Sequence, residues 1–387
     1  MMVDMAGTQN HRWTQVLDSL IELVSGGPAY VVVDGHDGQA GTLADRLAES
    51  ARLVGHRCYR LSSGWPAADE DAWRSDTTGR PVVIADGPRW RAHPPVGAWD
   101  MVIWVRTPEA AGHSSARPGG ARPGGGGPGG GGPGGGGRER GGRERGGRER
   151  GGRERGGPGS GEHGADVVID LHDPAWPVIR HVAKRLSVDG RWYLTETQAF
   201  FTPRAATWDT RFGDDLPAYA AAVADAGVPV GGTAIDVGCG TGRALLALRE
   251  AVGNTGVVLG IDLTPQMLAT ARAQGRHAHG GLVLADARRL PLPAGRVDVV
   301  FAAGLVAHLP DVTAGLAELA RVTRSGGRLV LFHPSGRAAL AARHGRTLRP
   351  DEPLAEGPLG RAMSESGWVL DRYDDARHRF FARGIRS

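Results

Sequence analysis

The sequence predicts an α/β protein made of two doubly wound, mainly parallel sheets, and three observations predict it. At two places, 30–54 and 234–252, a β-branched stretch runs through clustered glycines into a helical stretch. After the second of these, β-type runs and helical stretches alternate towards the C-terminus, the pattern of βαβ units with right-handed crossovers. Between the two places lies a tract, 117–164, too poor in apolar residues to join either core. A chain of 387 residues has room for two domains or three.

The second unit is the more informative. Ala234-Ile235-Asp236-Val237 reads as a buried strand, Gly238-Cys239-Gly240-Thr241-Gly242 as a turn, and 243–252 as a helix. Glycine lacks Cβ, so a ligand can approach the backbone closely. The helix N-terminus offers free N–H groups and the positive end of its dipole. The spacing is Gly-x-Gly-x-Gly, not the Gly-x-Gly-x-x-Gly of dinucleotide folds, and this counts against a dehydrogenase.

Acids then follow at successive strand ends. The run 256–261 closes on Asp262, 26 residues after Asp236, where a carboxylate can accept from both ribose hydroxyls. The run 281–285 closes on Asp286 and Ala287, the run 297–301 leads to Gly304, and the run 328–332 leads to His333. Helical stretches at 265–273, 312–323 and 359–366 separate or follow them. Asp298 reads as a structural strand-end acid.

These pieces together resemble the class I S-adenosylmethionine-dependent methyltransferases that act on small molecules. The matching motifs are Ala234 to Gly242, Gly260-Ile261-Asp262-Leu263-Thr264 with Met267-Leu268, Leu284-Ala285-Asp286-Ala287 with Leu290-Pro291, Asp298-Val299-Val300, Ala307-His308-Leu309-Pro310-Asp311 and Gly326-Gly327-Arg328-Leu329. The resemblance spans 195–387 and implies a seven-stranded Rossmann-like sheet whose last strand is antiparallel. It also implies that Gly238, Gly240 and Gly242 line the methionine part of S-adenosyl-L-methionine, with Asp236 beside its amino group. Asp262 would hold the ribose hydroxyls, Leu263 and Met267 would flank the adenine, and Asp286 and the Ala287 backbone would meet its edge.

A sulfonium carries its own leaving group, so the protein chiefly has to align a small-molecule acceptor with the S–CH₃ bond. A base is needed only for an acceptor that keeps its proton at neutral pH. His308 is the catalytic candidate for that role and His333 a weaker one, packing being the competing reading for both. Phe200, Phe201, Trp208 and Phe212 form either an aromatic acceptor lid or an ordinary apolar stripe.

The first unit resembles the uridine kinase branch of P-loop kinases over 1–185. The agreeing pieces are Val33-Asp34-Gly35, Asp37-Gly38, Thr42-Leu43-Ala44-Asp45, Ala85-Asp86-Gly87-Pro88, Trp99 to Trp104 and Ala165 to Asp170 before Asp173-Pro174. Strands are expected at 30–34, 81–87, 101–105 and 165–170, with a helix over 43–54. The chemistry argues against activity. A P-loop needs Gly-Lys before its Ser/Thr, and Ala40-Gly41 stands there. Lys184, the only lysine in the chain, follows the last expected strand. Serines (Arg60-Leu61-Ser62-Ser63-Gly64) occupy the place of the family's acceptor-side acid, and the arginine-bearing lid is replaced by the tract 117–164. The expectation is a degenerate kinase fold. Nucleoside or small-metabolite kinase activity, and a non-enzymatic nucleotide-binding or RNA-contacting scaffold, are the alternatives.

The tract holds 25 of the 62 glycines and four Arg-Glu-Arg-Gly-Gly copies from Arg138 to Gly157. Each triplet is net +1, so the four supply the whole formal charge of +4 and leave the folded parts near neutral. That argues against a basic nucleic-acid surface, and the alternating Glu and missing aromatics argue against RNA stacking. Disorder is expected there, with the junction between domains at 185–195. Cys58 and Cys239 fall in different domains, which argues against a disulfide framework. No metal-ligand spacing, signal peptide or membrane-spanning run is visible, and a cytoplasmic enzyme is expected.

Overall fold

The computed structural model describes residues 5–25, 30–35, 38–62, 68–76, 81–95, 97–107, 162, 164–187, 190, 192–343 and 347–387. Within 1–109 and 161–387 the described residues form one compact unit built on two sheets. Apart from Glu162 and Gly164, the expected disordered tract 117–164 lies outside the described residues. Glu162 departs from that expectation, because its carboxylate accepts from Arg106 Nε at 2.6 Å.

The first sheet is assembled from helix α1 (Met5–Ser25), strand β1 (Tyr30–Gly35), α2 (Gln39–Leu53), β2 (Cys58–Leu61), α3 (Ala68–Ser75), β3 (Val82–Asp86), α4 (Pro88–Ala92), β4 (Met101–Arg106), β5 (Val167–Asp170) and β6 (Val178–Val182). Its order is β2-β3-β1-β4-β5-β6, parallel throughout except for β6, which runs antiparallel to β5. Runs such as Val31-Val32-Val33 and Val83-Ile84-Ala85 are apolar without alternation because both faces are covered. Helix α2 begins at Gln39, four residues before the expected start, directly against the glycine loop. Neither α1 nor β6 was expected. Strand β6 is five residues long and mixes Arg180 and His181 into its apolar pattern, too weak a signal to read.

The second part opens with a cap: α5 (Trp192–Phe201), a 3₁₀ turn at Thr202–Thr207, α6 (Trp208–Phe212) and α7 (Leu216–Ala226). It continues as β7 (Thr233–Val237), α8 (Leu245–Val252), β8 (Val257–Asp262), α9 (Pro265–Ala273), β9 (Gly281–Leu284), β10 (Val297–Ala303), α10 (Val312–Val322), β11 (Thr323–His333), α11 (Arg337–Arg343), α12 (Glu356–Glu365), β12 (Trp368–Ala376) and β13 (Arg379–Arg386). The sheet has seven strands in the order β12-β13-β11-β10-β7-β8-β9. Strand β13 is antiparallel to both of its neighbours, and the other strands share one direction, as expected. Helix α8 starts two residues after the expected position, so the glycine turn is longer than a minimal strand–helix link. The side-chain N–H of buried Trp368 donates to Leu316 O at 2.9 Å, tying β12 to α10.

Helix α5 also belongs to the first sheet. Glu196 and Arg12 of α1 form an ion pair with both side chains buried, and Glu196 also accepts the Ile179 N–H of β6 at 2.6 Å. Trp176 Nε1 donates to Ala199 O at 2.8 Å. An ion pair with both charges desolvated needs such added hydrogen bonds to hold, so the cap is fixed by the N-terminal part of the chain.

Candidate active site

Strand β7 has β8 on one side and β10 on the other, so the chain winds away from it in both directions. A crevice opens beyond the carboxyl ends of such strands. Gly238, Gly240 and Gly242 lie in the turn there with φ of +73°, +54° and +82°. A Cβ on Gly238 would come within 3.2 Å of Leu305, and one on Gly242 within 2.9 Å of Leu245. The Gly238 and Cys239 N–H groups donate to Ile261 O at 2.8 and 3.0 Å, pinning the turn to β8.

Asp262, at the tip of β8, accepts the Gly240 N–H on Oδ2 and the Thr264 N–H on Oδ1, each at 2.8 Å. Burial pushes its carboxyl up, and these N–H groups pull it down. Asp236 is buried at the end of β7, and its Oδ1 has no hydrogen-bond partner. Burial, then the charge of Asp262, pushes the Asp236 carboxyl up to about 8. A buried acid with an unfilled oxygen fits an ammonium group, whose arrival would ionise it. Met267 is buried, with Sδ 4.0 Å from where a Gly240 Cβ would stand, and Leu263 is half-buried.

Asp286 and buried Ala287 follow β9. Arg288 grips Asp286 Oδ2 through Nη2 at 2.8 Å and Nε at 2.9 Å, and its own N–H donates to Oδ1 at 2.9 Å. A carboxylate has four acceptor positions, so a ligand can still bond to this one. The Arg288 guanidinium stacks on Tyr193 of α5 at 4.4 Å. Burial, then Asp286, pushes the Tyr193 hydroxyl up to about 12, and Asp262 acts on it in the same direction. Tyr193 therefore packs, through Arg288, at the Asp286 end of the rim.

The cap is laced to this rim. Gln198 donates to Leu263 O at 3.0 Å, and Thr202 to Gln266 at 3.0 Å. Asp209 of α6 accepts from the Thr241 hydroxyl at 2.7 Å and pairs with Arg243 at 2.9 Å and Arg276 at 2.8 Å. Burial alone would raise the Asp209 carboxyl, but Thr241 and the two guanidiniums hold it below the usual range. Phe201 stands between Trp208 and His308, ring to ring at 5.6 and 5.0 Å, with Phe200 4.9 Å from Phe201. The side chain of Phe212 lies outside the described residues.

Arg180 Nη2 lies 2.7 Å from His308 Nδ1. A guanidinium only donates, so Nδ1 accepts and Nε2 carries the proton. Burial, then the Arg180 charge, pushes His308 down to about 3. His333 ends β11, its Nδ1 against the Ser335 backbone. Asp298 accepts the Thr233 N–H at 2.8 Å and pairs with Arg324, a structural role as expected. Cys239 is buried and its thiol is pushed well up by burial, which suits a packing role. Among the described residues no cluster of His, Cys, Asp and Glu could hold a metal, and no helix is long and apolar enough to cross a membrane.

The structure therefore brings Asp236, the turn 238–242, Asp262, Leu263 and Met267 to one rim, with Asp286 at one end of it and Tyr193 packed there through Arg288. Sequence reasoning missed Tyr193, Gln198, Asp209, Arg276, Arg288 and Arg180. Thr241 sat inside the glycine motif and was legible there. Arg180 carries no sequence signal, because its partner is 128 positions away.

Residues 235–331 match the model of a family described as a methyltransferase domain. Demethylmenaquinone methyltransferase of Bacillus licheniformis is 37% identical over 109 residues, 28% of this chain and 47% of that protein. Aklanonic acid methyltransferase DauC of Streptomyces sp. (strain C5) is 33% identical over 154 residues, 39% of this chain and 70% of that protein. Among solved structures, magnesium protoporphyrin IX methyltransferase (ChlM) from Synechocystis PCC 6803 with bound SAH gives a TM-score of 0.40 at 18% identity, covering 50% of this chain and 100% of that one. The chain spans about half the length of the demethylmenaquinone methyltransferase it matches. Sheet, turn and acids define an α/β protein of the class that takes S-adenosylmethionine as cofactor. The chain belongs to the methyltransferase family.

Proposed function

We propose that the protein transfers a methyl group from S-adenosylmethionine to a small molecule at the crevice beyond β7 and β10. The observation that carries this reading is Asp262, whose carboxylate is held by the Gly240 and Thr264 N–H groups beside a turn with glycine at every second position. The sulfonium supplies an activated methyl group with its own leaving group. What remains for the chain is to bind and orient, an effect that can supply roughly 7–11 kcal/mol.

In this reading Asp262 receives the ribose hydroxyls, Asp236 the ammonium, and Gly238, Gly240 and Gly242 the methionine backbone. Leu263 and Met267 flank the adenine, and Asp286 with the Ala287 N–H meets its edge. His308 stands on the acceptor side. Its Nδ1 is taken by Arg180, so it serves as an Nε2–H donor and acts as a base only if Arg180 withdraws. The names of the relatives, which act on a demethylmenaquinone and on aklanonic acid, support a small-molecule acceptor. Calorimetry tests the reading: Asp262→Ala should weaken cofactor binding by about 1.5–3 kcal/mol. Unchanged affinity in that variant would remove its main support.

We read residues 1–185 as a catalytically degenerate P-loop, uridine kinase-like domain and 195–387 as the methyltransferase domain. A central β1 leading through glycines into α2, with Asp86 at the tip of neighbouring β3, supports the first part. Its loss of activity is supported by Arg60, which pairs with Asp86 at 2.6 Å where such an acid would face Mg²⁺. Phosphate release from ATP in the presence of any nucleoside would overturn the degenerate reading.

A further inference from the structure

Arg180 projects from the edge strand of the first sheet into the acceptor side of the second part. Its guanidinium lies 3.9 Å from the Phe200 ring centre, and Arg204 stacks on the same ring at 4.0 Å while donating to Phe200 O at 2.6 Å. Arg106, Arg243, Arg276 and Arg288 each grip a carboxylate. Arg180 and Arg204 grip none among the described residues. Asp170, whose field reaches Arg180, is already held by His172 at 2.8 Å.

A half-buried cation with no carboxylate in contact is costly, and an anion that arrives with a ligand offsets the cost. Burial, then Arg106, pushes Arg180 down to about 10, so it still carries its charge at neutral pH. The same wall is aromatic and continuous. Phe201 bridges His308 and Trp208, and Trp208 Nε1 lies 4.0 Å from where a Gly240 Cβ would stand. His308 offers a donor there and no open proton acceptor, which suits an occupant that is already ionised.

We propose that the methyl acceptor is an aromatic carboxylate, its ring lying along Phe201 and Trp208 and its ionised group received by Arg180 with Arg204 beside it. This rests on the methyl-transfer reading above and narrows its substrate class. The guanidinium fork can hold a carboxylate through two parallel N–H bonds, which a point charge cannot.

The test is calorimetry on the full chain with S-adenosylhomocysteine, naphthoate and its neutral isostere naphthamide, the last two titrated with and without the first. The expected result is naphthoate binding about tenfold or more tighter than naphthamide, the ratio one charge-assisted hydrogen bond supplies. Arg180→Gln should erase that preference with S-adenosylhomocysteine affinity unchanged. Arg180→Lys should keep part of it, which separates loss of the fork from loss of the fold. No preference in the unaltered protein, or a preference that survives Arg180→Gln, overturns the proposal. So does a fall in S-adenosylhomocysteine affinity alone, because the anion would then be the cofactor's own carboxylate. Failure of S-adenosylhomocysteine to bind the unaltered protein sinks the methyl-transfer reading instead, and naphthoate titrated alone still reads the arginine site.

Discussion

The turns after β1 and after β7 are built from the same parts: a buried parallel strand, an acid near its end, glycines, a helix, and a second acid on a neighbouring strand. They treat the acids in opposite ways. After β7, Asp262 is held by backbone N–H groups, and Asp236 keeps an oxygen that nothing in the protein fills. After β1, Asp86 pairs with Arg60 at 2.6 Å and Asp34 with Arg91 at 3.3 Å. Backbone donors orient a carboxylate without cancelling its charge, and guanidiniums cancel it. Two glycine-bearing strand–helix links can thus share a sequence pattern and still differ in the partner of each acid.

The sharpest way to break the comparison is Arg60→Ala. Both members of the Arg60–Asp86 pair are largely buried, so removing the cation deprives a buried acid of this ion pair. Breaking such a pair costs about 3 kcal/mol or more. Denaturant unfolding should show that loss while cofactor affinity at the β7 turn stays unchanged. A gain of ATP or Mg²⁺ binding in the variant would mean that the first turn is a masked site and not a remnant.

Gly238→Val comes next. At φ +73° a β-branched residue is strained, and its Cβ would stand 3.2 Å from Leu305. A loss of about 1–3 kcal/mol is expected, together with loss of cofactor binding, because the backbone could no longer be approached. Retained cofactor affinity would show that the turn is open for folding reasons alone.

How much of this was legible follows from the range of each signal. The parallel strands and the acids Asp236, Asp262 and Asp286 at their ends were readable, because each rests on a local run of apolar residues closed by one polar residue. The count of seven and the antiparallel β13 came from the resemblance alone. Helix starts were misplaced by two to four residues where glycines blur the boundary, at Gln39 and Leu245. The cap contacts were not readable. The partners Gln198 and Leu263, Asp209 and Arg276, and Arg180 and His308 are far apart in the sequence and meet only in the fold. The weight of Arg60 was hidden as well. Reasoning from the missing lysine at Gly41 named an absence, whereas the informative fact is which cation took the acid.

A smaller effect tests the open acid. With its carboxyl raised to about 8, Asp236 is neutral in the folded chain over a range where the unfolded chain, near pKa 3.9, is ionised. Its stabilising contribution is complete below the unfolded value and is lost as pH rises through about 8. A cofactor ammonium favours the ionised form, so binding at pH 7 should release close to one proton. Asp236→Asn should remove both that release and its share of the pH slope, and should weaken binding by about 1.5 kcal/mol. Calorimetry in two buffers of different ionisation enthalpy measures the release. Equal heats in the unaltered protein would mean that the ammonium binds elsewhere.

The smallest effect is the most discriminating between the turns. Gly41 lies in the first turn of α2, and a Cβ there would meet only Asp86 Oδ2, at an ordinary 3.5 Å. Gly41 stands at the lysine's place in a P-loop, where a side chain is admitted, and a glycine in a plain helix should welcome one. Gly41→Ala should therefore raise stability by up to about 1 kcal/mol through helix propensity and lower unfolded-state entropy. Thermal unfolding measures the gain. A loss instead would indicate that the β1 turn still depends on a bare backbone at that position, and the contrast with the β7 turn would then rest on charge pairing alone.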